Sequence, residues 1–126
     1  MNNADIVEQL ERMCGRVVSL KNGWNSFVYQ HQNFVNIPDP HRNTIKFAIP
    51  FLTKIGKYKK EILEQAINET NRDVMFVKLI FQKNGNVTMR YDYKLFGNAV
   101  ASDIVPHMIE TLYKASERFM LRLQLQ

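Results

Sequence analysis

Apolar residues at Ile6, Val7, Leu10, Met13 and Cys14 recur three and four positions apart, the spacing that lines one face of a helix. Asn3 stands where this helix needs an N-cap and Gly15 where it stops. Glu8 and Arg12 follow in the favourable i, i+4 order on its polar side, worth about 0.2 to 0.5 kcal/mol. After Gly15 the period changes. Clusters of β-branched and aromatic residues at Val17-Val18, Trp24 to Tyr29, Phe34 to Ile37 and Thr44 to Phe51, each bounded by turn formers, predict short strands. Lys21-Asn22-Gly23 and His31-Gln32-Asn33 read as tight connections, and the segment from Pro38 to Asn43 as a longer exposed loop. Links this short force antiparallel pairing, because a parallel crossover needs about a dozen residues.

The helical period returns from Tyr58 to Asn71, with Tyr58, Ile62, Leu63, Ala66, Ile67 and Thr70 on one stripe. A second meander follows, Val74 to Gln82 and Val87 to Phe96, joined at Lys83-Asn84-Gly85. Residues directly opposite each other in a hairpin share a face, so the side chains select its register. A turn of only Asn84-Gly85 sets Met75, Val77, Leu79 and Phe81 on the face of Thr88, Arg90 and Asp92. A longer loop with Gly85 as a left-handed bulge instead opposes Phe81 to Val87, Leu79 to Met89, Val77 to Tyr91 and Met75 to Tyr93. The second register makes one coherent apolar face, and burying each such side chain is worth about 1.5 to 3 kcal/mol. That outweighs the opposition of Lys78 to Arg90 which it also implies. Val74, Phe76 and Ile80 are then left on the other side of the sheet, where polar residues are the norm, and mark a candidate protein or dimer interface.

The last segment, Ser102 to Leu123, carries a long apolar stripe through Val105, Met108, Ile109, Leu112, Ser116, Phe119, Met120 and Leu123. Ser102 is placed to cap this helix, and Pro106 falls in or near its first turn. The fold class is therefore α+β: an antiparallel sheet of five to six strands with three helices, in the order α-β-β-β-α-β-β-α, with room for an extra strand after the first helix.

Composition keeps this picture within one domain, residues 1–126: 45% hydrophobic and 23% charged residues, with few Gly and Pro, are ordinary globular values. No stretch reaches the roughly 20 apolar residues that span a bilayer, and Met1 to Cys14 holds carboxylates where a signal peptide is apolar. A cytoplasmic protein without membrane contact is expected. Cys14 is the single cysteine, which excludes an internal disulfide and suits a small core residue. The net charge of +5 is informative only where cations cluster, and they do so at Lys54, Lys57, Lys59 and Lys60, a candidate anion-binding patch. Cations there oppose the macrodipole of the second helix. Ion pairs from Lys57 to Glu61 and from Lys60 to Glu64 are the structural alternative.

Candidate chemistry is sparse. His31, His41 and His107 lack ligand-like spacing, and no phosphate-cradle, zinc-protease or serine-hydrolase pattern is present. Asp92, between Tyr91 and Tyr93, fits strand alternation, with the tyrosines inward and the carboxylate in water. The aromatics Trp24, Phe27, Tyr29, Phe34, Phe47 and Phe51 fit a core better than a stacking platform. No catalytic residue, cofactor, metal or small-molecule substrate is expected.

The order of elements, with Asn68-Glu69-Thr70-Asn71-Arg72 leading into a strand-turn-strand and Tyr91-Asp92-Tyr93 before a terminal amphipathic helix, resembles the YbjN-like family. That family is described as bacterial sensory transduction regulators and is similar in fold to type III secretion chaperones. The resemblance implies a non-enzymatic α+β domain, often dimeric, whose relatives bind extended protein segments. Secretion chaperones are typically acidic, and this chain departs from them in being basic. The function expected is a non-catalytic protein-binding, adaptor or regulatory domain of chaperone-like type, with another protein or a second copy as partner. The alternative is an accessory nucleic-acid-binding module using the lysine patch.

Overall fold

A computed structural model describes residues 1–41, 43–53 and 56–125. Helix α1 (Asn3–Cys14) leads into strands β1 (Val18–Ser19), β2 (Asn25–Tyr29), β3 (Gln32–Asn36) and β4 (Thr44–Ile49). Helix α2 (Lys60–Asp73), strands β5 (Val77–Phe81) and β6 (Val87–Lys94), and helix α3 (Ala101–Gln124) follow. The six strands form one antiparallel sheet in the order β1-β2-β3-β4-β6-β5. This is the expected α+β order, with the extra strand present as β1.

Helix ends depart from expectation in ways their hydrogen bonds explain. The cap of α1 is Asn2, one residue before Asn3. Its Oδ1 accepts from the Asp5 amide at 2.9 Å while Asp5 Oδ2 accepts from the Asn2 amide at 2.9 Å, a reciprocal box that satisfies two otherwise orphaned donors. Gly15 ends the helix at φ +80, its amide donating to the Glu11 carbonyl at 2.9 Å, a conformation open to glycine at low cost. Helix α3 starts at Ala101 with Val100 at the cap position and no capping side chain. Ser102 therefore lies inside the first turn, and Pro106 falls in the second, where it leaves the Ser102 carbonyl without its amide partner.

The connections follow turn chemistry. Gly23 at φ +88 closes the link from β1 to β2, its amide on the Leu20 carbonyl at 3.0 Å. The β2–β3 turn is Gln30-His31, not His31-Gln32-Asn33: Tyr29 pairs with Gln32, and both turn residues have positive φ, 51 and 65. The β5–β6 hairpin takes the expected longer loop. Gly85 sits at φ +88 and the Gln82 amide donates to the Asn86 carbonyl at 2.7 Å. Phe81 then opposes Val87, Leu79 opposes Met89 and Val77 opposes Tyr91. The expected Met75–Tyr93 pair is absent, because β5 begins only at Val77 and Met75 is exposed. The Pro38–Asn43 link is partly tucked in: buried Asp39 accepts from the His41 amide at 3.0 Å and the Asn43 amide at 3.3 Å.

One face of the sheet is covered by all three helices. Alternate strand residues Phe27, Phe34, Phe47, Met89 and Leu79 join Leu10, Ala66, Ile67, Met108, Leu112 and Phe119 in a single buried cluster. Phe27 and Phe34 stack with centroids 5.5 Å apart, and Phe47 meets Phe27 edge-on. Tyr29 Oη donates to Glu110 Oε2 at 2.5 Å and ties β2 to α3. Phe51, expected in the core, is exposed. Strand β4 ends before Pro50, whose carbonyl instead accepts from Thr88 Oγ1 at 3.1 Å.

Candidate functional site: the uncovered sheet face

Strand alternation puts every second residue on the side away from the helices. The pairings Val18–Ser26, Ser26–Val35, Val35–Ala48, Ala48–Arg90 and Arg90–Lys78 place one row of that side across all six strands. The middle of the row is a floor of small aliphatic side chains, Val35 and Ala48, which are themselves buried, 6% and 3% exposed, so the face is open only towards its ends. At the β5 end the floor opens into a shallow cavity of about 450 Å³ lined by Phe76, Lys78, Ile80, Arg90 and Asp92.

Of the three residues expected to form an apolar interface, the structure brings two to this cavity. Ile80 stands on the uncovered face, 42% exposed. Phe76 is 66% exposed, its ring stacked on Tyr91 at 6.0 Å and 13°. Val74 is not with them. It is the C-cap of α2, its amide donates to the Thr70 carbonyl at 3.0 Å, and its side chain packs against the core. Strand parity cannot be carried back to Val74, because Phe76 interrupts it with a left-handed backbone, φ +73.

The face is strongly cationic where it is open. On β4, β5 and β6 it carries Lys46, Lys78, Arg90 and Lys94 against one carboxylate, Asp92. Arg90 Nε donates to Asp92 Oδ1 at 2.8 Å. Lys94 lies over the Phe96 ring, 5.8 Å from its centroid. These cations were hidden in the sequence because they are spread over three strands that only the register unites.

The edge strand beside the cavity is guarded. The Gln82–Asn86 bond fixes the hairpin's hydrogen-bonding parity, so the backbone of Leu79 points away from β6. The Asn71 side chain caps it on both sides. Its Oδ1 accepts from the Leu79 amide at 2.8 Å and its Nδ2 donates to the Leu79 carbonyl at 3.1 Å. An amide side chain thus occupies the place of an added strand. Beside it Thr70 is buried and accepts from Arg122 at 3.1 Å, and Arg122 also pairs with Asp73, which anchors this end of α2 to α3.

Lys57, Lys59 and Lys60 are exposed before and at the start of α2, and Lys54 lies outside the described residues. Lys57 sits over the Tyr58 ring at 5.4 Å instead of pairing with Glu61, while Lys60 Nζ is 3.8 Å from Glu64 as expected. The histidines are separate: His31 in a turn, His41 in a loop, and His107 on α3 with Nε2 3.3 Å from Tyr91 Oη. Among the described residues no cluster of three His, Cys, Asp or Glu side chains is placed to hold a metal ion, and no helix is long and apolar enough to cross a membrane. Burial pushes the half-buried Cys14 thiol up, away from the reactive thiolate. Burial, with Tyr93 nearby, raises Tyr91, and the hydrogen bond to Glu110 raises Tyr29.

No family model matches the chain, and no curated protein matches it. Solved structures do. An uncharacterised protein from Methanothermobacter thermautotrophicus is similar with a TM-score of 0.65 and 14% identity, covering 98% of this chain and 97% of that one. The type III secretion chaperone SycH of Yersinia pestis, solved in complex with a stable fragment of YscM2, is similar with a TM-score of 0.58 and 8% identity. That match covers 89% of this chain and 94% of SycH. At such identities the shared property is the fold.

Proposed function

We propose that this domain is a non-catalytic, chaperone-like protein-binding module that takes a polypeptide partner on its uncovered sheet face. The observation that carries the reading is Ile80, a large apolar side chain exposed on that face, at a cavity that the exposed Phe76 also lines. An antiparallel sheet with one face on the core ordinarily keeps large apolar groups off the other. The fold shared with a chaperone solved bound to a protein fragment supports the same reading, as does the likeness in element order to the YbjN-like regulators. The partner is a separate protein or a second copy of this chain.

The test is recovery of partners on tagged protein from its native host, with and without nuclease, comparing the wild type with Ile80→Asp. Proteins retained by the wild type after nuclease and lost from the folded variant support the reading. An identical set on both, or a set that disappears with nuclease, overturns it. Light scattering over micromolar concentrations then assigns the partner class: a mass of two chains that Ile80→Asp reduces to one identifies the second copy.

A further inference from the structure

We infer that the polypeptide segment received by the uncovered face is acidic, its carboxylates meeting the cations that surround the Phe76–Ile80 cavity. The inference rests on the protein-binding reading and adds the chemistry of the partner. Lys78 and Arg90 are directly opposed in a hydrogen-bonded pair of β5 and β6, which sets their Cα atoms about 5.5 Å apart. Like charges so placed repel. Asp92 bonds Arg90 and stands directly opposite Lys46, which also faces the carboxylate of Asp39, whereas among the described residues Lys78 and Lys94 form no ion pair. The free domain therefore holds an arrangement of cations that a bound anion relieves.

The arrangement also favours a peptide over a nucleic acid. The exposed apolar group among the cations, Ile80, is aliphatic, and of the nearby aromatic rings Phe76 already stacks on Tyr91 and Phe96 lies under Lys94, which leaves little platform for bases. Asp92 lies among the cations, where an unbroken phosphate backbone would meet it. A peptide carries charges at intervals, and alternate residues of an extended chain reach one side about 6.8 Å apart. Asn71 occupies the backbone of Leu79 on the neighbouring edge. Such a segment is therefore held by its side chains on the face and not by pairing there as an added strand.

The experiment is fluorescence anisotropy with short labelled peptides in which leucine alternates with glutamate, with glutamine or with lysine, and with a labelled single-stranded oligonucleotide. The expected result is binding of the glutamate peptide, weakened roughly tenfold by the double substitution Lys46→Glu and Lys78→Glu. Circular dichroism checks that the variant is folded, and Arg118→Glu, exposed on α3 across the sheet from the face, serves as a charge control that leaves binding unchanged. Equal binding of the glutamine and glutamate peptides, both lost in Ile80→Asp, overturns the acidic preference and leaves the protein-binding face standing. Binding of the oligonucleotide alone, falling steeply with salt, overturns both, as does no binding of any probe.

Discussion

Phe76 holds a left-handed backbone at φ +73 with a bulky side chain, where the fold usually asks for glycine. Such a residue costs about 1 to 3 kcal/mol, offset here by its stack on Tyr91. Phe76→Gly keeps the backbone and removes the strain, whereas Phe76→Ala keeps the strain and loses the stack. Urea unfolding is expected to rank the glycine variant above the alanine variant by about 1 kcal/mol, while both lose affinity for a partner of the sheet face. Asp39 makes a different prediction. Its carboxylate accepts first from the His41 amide and then from Asn43, which holds its pKa below the ordinary 3.8 against the opposing effect of burial. A depressed carboxylate stabilises the fold above its unfolded pKa and loses that contribution as pH falls through the folded value. Asp39→Asn therefore lowers the thermal midpoint near neutral pH, and the gap from wild type begins to narrow below about pH 4 and closes only as the pH falls through the lowered folded value.

Among elements, the β2–β3 turn is the weakest match of sequence to geometry. Two-residue hairpins of this kind favour Asn-Gly, and Gln30-His31 adopts positive φ without either. Replacing the pair by Asn-Gly is expected to raise the unfolding free energy by about 1 kcal/mol in denaturant titration. The absence of turn formers is also why the sequence suggests a later connection there. By contrast the β5–β6 register is legible from the chain alone, since Gly85 and the alternation of Val77, Leu79 and Phe81 with Val87, Met89 and Tyr91 agree. Legibility stops at Val74 because one left-handed residue reverses the parity that alternation assumes. The guard on the sheet edge was visible only as part of an Asn-x-x-Asn-Arg stretch, since nothing local says that Asn71 faces a strand eight residues on. Asn71→Ala uncovers the Leu79 backbone, and concentration-dependent association in analytical ultracentrifugation is the expected result.

At the scale of the molecule, the basic character expected to concentrate before α2 is instead shared with the uncovered sheet side, where Lys46, Lys78, Arg90 and Lys94 come from three strands. Linear clustering finds the lysines before α2 but not the cations that the register gathers on the sheet, while the element order and the helix-covered face are readable from periodicity. The strand order has one more consequence, for the time course of folding. Strand β6 lies between β4 and β5, and because the hairpin turned at Gly85 is the local pairing, it is expected to form first and then dock onto β4. That docking closes a loop containing all of α2, and its entropy is spent before the pairing of Phe47 with Tyr91 returns anything. Gly85→Ala, strained at φ +88, is expected to slow refolding in stopped flow more than it speeds unfolding. Until the hairpin docks, β4 remains an open edge, and that is the interval in which the chain is most prone to pair with a neighbour.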